Sequence, residues 1–269
     1  MTFRLAFIGA GRMASAMVKG VLARKDFAPK EIVCTCGDDS TGPTLAQAVG
    51  IHYQPDVRLM VASADVVVMA CKPQQLSQLD PDVAQCAAGT LILSILAGTP
   101  LAKLKAHFPK ARNFVRAMPN TPGQIGAGVT AYCTARPLAA ADTATVQKIL
   151  RALGEVLALP EIQMDAVTAV SGSGPAYFFE FTAALRESAV RLGLSGETAH
   201  RLALETALGA ARLMKATGAD PETLRANVTS PGGTTAAALD VFKRHDLRGA
   251  VQAAVTAAKE RSQKLSELG

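Results

Sequence analysis

The chain has 269 residues, 49% of them hydrophobic, which is enough to bury a sizeable core and to build about two domains. Aromatic residues are scarce (no Trp, three Tyr, nine Phe), a composition that favours closely packed helices over an all-β fold. The net charge of +6 comes from 28 basic and 22 acidic residues. No basic run is interleaved with stacking aromatics, which argues against nucleic acid and leaves a positive field suited to a phosphorylated cofactor and a carboxylate.

Phe3 to Ile8 is a short apolar run of strand length, followed by Gly9-Ala10-Gly11-Arg12-Met13-Ala14 and a helical pattern through Met17, Val18, Val21 and Leu22. Glu31 to Cys36 predicts a second strand, and Leu45 to Val49 part of a short helix. Asp65 to Cys71 and Thr90 to Ile95 are continuous apolar runs, the pattern of strands buried on both faces of a parallel sheet. Asn113 to Met118 and Gly128 to Cys133 continue the strand series. A helix near Ala140 to Leu153 and a last strand at Glu155 to Leu159 complete it. The order predicts an α/β Rossmann domain with a mostly parallel, doubly wound sheet over residues 1–160.

After Pro160 the strands stop, and residues 161–269 read as an all-α domain. Phe178, Phe181, Leu185, Ser188 and Leu192 recur at helical spacing. Leu202, Thr206, Gly209 and Leu213 do the same, as do Val251, Val255, Ala258, Ser262 and Leu265. Gly193 and Gly218 read as helix stops, and Asp220-Pro221 as a restart. These stripes are more apolar than a lone half-domain needs, and their small residues allow close helix approach, so a homodimer is expected.

The five cysteines show no C-x-x-C spacing and are expected as buried thiols in a reducing cytoplasm. No run of about 18 apolar residues occurs, so no membrane span is expected. The apolar start breaks into glycines at Gly9, too early for a signal peptide. His52, His107, His200 and His245 are scattered in no ligand spacing, and no metal is expected.

Two segments carry chemistry. Gly9 to Ala14 is G-x-G-x-x-A ending a first strand and opening a helix, the context in which this motif signals a dinucleotide. Gly9 allows the tight turn, Gly11 lets a pyrophosphate approach the backbone, and Ala14 keeps helix close to strand. The second segment, Ser230-Pro231-Gly232-Gly233-Thr234-Thr235, reads as a helix N-terminus with capping hydroxyls and permissive glycines. It offers N–H donors, partial positive charge and hydroxyls, but no acid, base or metal ligand. Such a site holds a small anion while another molecule supplies the reactivity.

Five segments together resemble the pyrroline-5-carboxylate reductase family. They are Gly9 to Ala14, Lys72-Pro73-Gln74, Ala117 to Pro122, Ser171 to Tyr177 and Ser230 to Thr235. The resemblance implies reduction of the ring C=N of 1-pyrroline-5-carboxylate to L-proline by NADPH, with NADH as the alternative. It implies that Thr235 contacts the imine nitrogen, and that Ser230, Gly232, Gly233 and Thr234 help bind the carboxylate. Glu161 falls where some relatives place a substrate-pocket acid. On the cofactor side it puts Gly9, Ala10, Gly11, Arg12 and Met13 at the pyrophosphate. Ala70, Lys72 and Pro73 follow along the nicotinamide half, with Ala97 beyond the next strand and Asn227 reaching in from the helical domain. It further implies dimers with interlocked helical domains, often assembled into larger rings, in which Thr234 and Thr235 of one chain face the nicotinamide held by the other.

The chain departs from the family in two places. Relatives often carry an asparagine near position 57, where this chain has Asp56-Val57. The loop Thr35-Cys36-Gly37-Asp38-Asp39-Ser40-Thr41 has two acids and no Arg or Lys, which favours a free ribose diol, although Thr35, Ser40 and Thr41 can hold a phosphate.

Other readings are weighed against these. Lys72 as a solvated loop lysine, Asn120 as turn chemistry, and Ser171, Ser173 and Tyr177 as helix caps and packing all remain open. Ser171-Gly-Ser-Gly lacks the G-x-S-x-G of a hydrolase elbow. A β-hydroxyacid dehydrogenase would need a lysine on the helix after that segment, and Pro175-Ala-Tyr-Phe-Phe-Glu180 has none. A dinucleotide-binding regulatory protein without turnover should have eroded Ser230 to Thr235, which is intact.

Overall fold

In the computed structural model, which describes residues 2–268, the chain opens with β1 (Phe3–Ile8), α1 (Arg12–Ala23), β2 (Ile32–Thr35) and α2 (Thr41–Val49). Next come β3 (His52–Tyr53), α3 (Val57–Ala62), β4 (Ala64–Met69), α4 (Pro73–Leu76) and α5 (Pro81–Cys86). β5 (Leu91–Ser94), α6 (Leu101–His107), β6 (Asn113–Met118), β7 (Gly128–Thr134), α7 (Ala140–Arg151) and β8 (Gly154–Ala158) complete the sheet and its cover. The strands form one sheet in the order β3-β2-β1-β4-β5-β6-β7-β8. Every pairing is parallel except β6 with β7.

Period-two alternation explains how these strands bury both faces. Phe7, Cys34, Val68, Leu93 and Val115 point to one side, packed against Met17, Val18 and Val21 of α1 and Ile149 and Leu150 of α7. Ala6, Ile8, Val67, Met69, Ile92 and Phe114 point to the other, against Met60 and Val61 of α3, Leu76 of α4, Val83 of α5 and Leu104 of α6. The two layers of helices come from this alternation, which is the doubly wound arrangement expected from the sequence.

After β8 the chain makes α8 (Met164–Val167) and a π-helical stretch, Thr168–Gly172. It continues through α9 (Gly174–Arg191), α10 (Gly196–Thr217), α11 (Pro221–Asn227), α12 (Thr234–Arg244) and α13 (Leu247–Leu268). Gly193 and Gly218 both have positive φ, and Gly218 is the left-handed cap that ends α10. Asp220 caps α11 by accepting from the Thr223 amide at 3.0 Å, so the stops and the restart fall where the sequence sets them.

The chain divides into two compact units. One holds the residues up to Ser173 together with those from Ala258 on, and the other holds Gly174–Ala257. In the helical unit α9 packs on α10 through Ala199 and Ala203, which are buried. Leu202, Leu213 and Val251 are each about half exposed, at 52%, 51% and 53%, so the apolar stripes read from the sequence point outward in the protomer. Among the described residues no helix is long and apolar enough to cross a membrane, and no group of three or more His, Cys, Asp or Glu is placed to hold a metal.

Candidate active site

The carboxyl ends of β1, β2 and β4 open onto a cavity of about 490 Å³. Gly9, Ala10, Gly11, Thr35, Ala70 and Lys72 all line it. Gly9 sits at φ +105°, and a Cβ there would stand 2.5 Å from the Ala70 carbonyl oxygen. The crossing of β1 and β4 therefore demands glycine. A Cβ on Gly11 would meet no protein atom within 4 Å, so nothing in the protein's own packing requires that glycine. Gly11 is the N-cap of α1, with no side-chain hydrogen bond at the cap and no acid in the first turn. Ser15 N–H donates to the Gly11 carbonyl at 2.9 Å. The amides of Arg12, Met13 and Ala14 are thus left as the donors an anion would use.

Beyond β2, Asp39 is held in place. Its Oδ1 accepts from the Thr41 hydroxyl at 2.5 Å and from the Thr41 amide at 2.8 Å. These bonds, with a smaller contribution from the Lys72 charge, keep its carboxyl below the ordinary range. Thr35 is 2% exposed, and its Oγ1 has no hydrogen-bond partner among the described residues. A buried hydroxyl without a partner is costly unless something else bonds it. A glycine turn, an uncapped helix start and an orphaned buried hydroxyl lining one cavity fit a dinucleotide.

The other candidate residues of this unit lie outside that lining. Pro73 opens α4, whose start is closed by the Lys72 amide donating to Gln75 Oε1 at 2.8 Å. Ala97 is exposed just after β5. Its neighbour Gly98 lies against α13, a Cβ there coming 3.2 Å from Leu265 Cβ. Glu161 is engaged: its Oε1 accepts from the Leu101 amide at 2.7 Å and pairs with Arg116 Nη1 at 3.1 Å. Arg116 is buried and also lies 3.8 Å from Asp165, which accepts from the Ser262 hydroxyl at 2.7 Å. Burial first, and the Glu161 charge second, push the Cys133 thiol up to about 11. Sequence reasoning missed this knot, and its one signal was a lone arginine inside the apolar run Asn113–Met118. Asn120 has a structural task, its Oδ1 accepting from the Val129 amide at 2.9 Å.

In the helical unit, Asn227 ends α11 and is exposed. The Ser230–Gly233 turn closes with the Gly233 amide donating to the Ser230 carbonyl at 3.0 Å, and Gly232 takes φ +69°. The expected capping hydroxyls do not cap. The N-cap of α12 is Gly233, with no side-chain hydrogen bond. The reason is local: Ser230 Oγ lies over Gly233, 2.5 Å from where a Cβ would be, so only glycine fits the cap position. The first helical bond runs from the Ala237 amide to the Gly233 carbonyl at 3.2 Å. The amides of Thr234, Thr235 and Ala236 therefore stay unpaired within the helix. Thr234 is exposed and Thr235 half-buried.

A dinucleotide cleft on a doubly wound sheet, carried in one chain with an uncapped helix start rich in hydroxyls, defines a nicotinamide-dependent oxidoreductase. A family described as "NADP oxidoreductase coenzyme F420-dependent" matches residues 4–98, and "Pyrroline-5-carboxylate reductase dimerisation" matches residues 161–265. The chain is 39% identical to the pyrroline-5-carboxylate reductase of Synechocystis over 267 residues, 99% of this chain and 100% of that one. It is 40% identical to that of Pseudomonas aeruginosa over 268 residues, 99% and 98% of the two chains. The solved pyrroline-5-carboxylate reductase of Coxiella burnetii matches with a TM-score of 0.90 at 36% identity over 99% of both chains. Plasmodium falciparum pyrroline carboxylate reductase, solved with NADP bound, matches with a TM-score of 0.86 at 28% identity over 98% of both. The chain belongs to the pyrroline-5-carboxylate reductase family.

Proposed function

We propose that this protein reduces the ring C=N of 1-pyrroline-5-carboxylate to L-proline, the last step of proline biosynthesis, with NADPH as donor and NADH as the alternative. When bound, the reduced nicotinamide supplies the hydride. The observation that carries the reading is the start of α12, where three amides and two threonine hydroxyls meet no acid, base or metal ligand in the segment. The amides, together with Ser230, Gly232, Gly233 and Thr234, hold the carboxylate against the positive end of the helix. Thr235 gives its hydroxyl to the imine nitrogen. A cyclic imine is basic enough to bring its own proton, so positioning and water exclusion are what the residues must supply.

On the dinucleotide side, the turn Gly9 to Met13 holds the pyrophosphate and Thr35 Oγ1 bonds the adenosine ribose or its phosphate. Ala70, Lys72, Pro73 and Ala97 follow along the nicotinamide half, and Asn227 adds a contact. Glu161 has one oxygen committed to Arg116 and Leu101 and offers the substrate its other one. The protein works as a homodimer through its helical unit, and dimers assemble further into a ring. Its five free thiols suit a reducing cytoplasm.

Incubation of the purified protein with 1-pyrroline-5-carboxylate should oxidise either dinucleotide and release L-proline in equal amount. Dinucleotide oxidation without L-proline, or no oxidation with either donor, would refute the assignment.

A further inference from the structure

Lys72 has a second neighbour besides the nicotinamide half to which the resemblance assigns it. Its charge lies near enough to Asp39 to help keep that carboxyl ionised, and both residues line the cavity at the ends of β2 and β4. Asp39 is not a free loop acid, since Thr41 fixes Oδ1 through two hydrogen bonds at 2.8 and 2.5 Å. Asp38 lines the same cavity, but no hydrogen bond fixes its carboxylate among the described residues. Thr35 Oγ1, buried and without a partner among the described residues, belongs to the same lining. A clamped carboxylate, an ammonium and an orphaned hydroxyl therefore converge where an open α/β sheet meets the adenosine ribose of a dinucleotide.

We propose that Asp39 and Lys72 together decide between a free and a phosphorylated ribose at this cavity. The Asp39 carboxylate accepts from a 2′,3′-diol and repels a 2′-phosphate, while the Lys72 ammonium leaves Asp39 to pair with the phosphate when one is present. The two charges act in opposite directions on the phosphorylated ligand, so neither dinucleotide is excluded and the preference is small. The proposal rests on reading the cavity as a dinucleotide site, and its test separates the two.

Calorimetric titration of the full chain with adenosine 5′-monophosphate and adenosine 2′,5′-bisphosphate reads the subsite without turnover. Lys72→Ala should weaken the bisphosphate about 10-fold and leave the monophosphate within about 2-fold. Asp39→Asn should tighten the bisphosphate about 3- to 10-fold and weaken the monophosphate. Asp38→Asn should change neither ligand. All three positions are exposed, so each variant should unfold at the wild-type temperature, and Lys72→Gln repeats the charge removal with a longer side chain. Equal weakening of both ligands by Lys72→Ala, or an unchanged ratio in Asp39→Asn, overturns the proposal and leaves the dinucleotide site standing. Failure of the wild-type protein to bind either nucleotide overturns both.

Discussion

Thr235 offers the one hydroxyl assigned to the reacting nitrogen, and its neighbours include no group that could replace it. Thr235→Ala should keep the fold and dinucleotide binding and slow turnover about 5- to 150-fold, the value of roughly 1–3 kcal/mol for one such bond in a dry site. Thr235→Ser should recover part of the loss. Steady-state rates of the two variants check this, and unchanged turnover in the alanine variant removes Thr235 from the mechanism. The buried thiols give a second residue-level expectation. Burial lifts Cys34, with Cys36 adding to the effect, and burial lifts Cys71, each from an ordinary value of 9.0 to about 11. Cys133 rises over the same interval. A raised folded-state value means the folded chain keeps protons that the unfolded chain releases. The contribution to stability is therefore complete below about pH 9 and lost as pH rises towards 11. Thermal midpoints should fall across that window, and Cys71→Val should flatten the fall. A slope unchanged in that variant would assign the effect to other groups.

At the scale of elements, the turn between β1 and α1 separates glycine needed for folding from glycine needed for a ligand. Gly9→Ala puts a Cβ against the Ala70 carbonyl at φ +105° and should cost about 1–3 kcal/mol in denaturant unfolding. Gly11→Ala meets no protein atom, so stability should hold while nucleotide affinity falls. Equal destabilisation by both would refute the distinction. The long apolar strands were legible because buried parallel strands leave continuous runs, and Asn113–Met118 appears as the alternation predicts. β3 was not legible, being two residues long with no period to read. Nor was the π-helical stretch Thr168–Gly172, because local composition carries no signal for a widened turn. At the candidate site, the glycines and the threonine start announced themselves by motif. The Arg116, Glu161, Asp165 and Ser262 knot did not, since its members come from β6, the segment around α8 and the end of α13 and meet only in the fold. The capping expectation failed for a related reason: which residue becomes the N-cap depends on Ser230 folding over Gly233, a contact that residue types alone do not reveal.

At the scale of the whole molecule, the half-exposed Leu202, Leu213 and Val251 belong to the region matched by the dimerisation family, so burying them drives association. If Thr235 of one chain serves the nicotinamide held by the other, a Gly11→Asp chain and a Thr235→Ala chain, each inactive alone, should regain activity when mixed and reassembled. Sedimentation at assay concentration provides the companion measurement, and a fully active monomer would defeat the shared-site reading. The unit that carries the dinucleotide cavity is discontinuous in sequence. It is completed only from Ala258 on, where Ser262 bonds Asp165 and Leu265 lies against Gly98. During synthesis the sheet leaves the ribosome long before those residues do, so the nucleotide-binding half cannot reach its finished form until the chain is nearly released. A stop codon late in the reading frame would thus damage the first-made part of the protein rather than merely shorten the last.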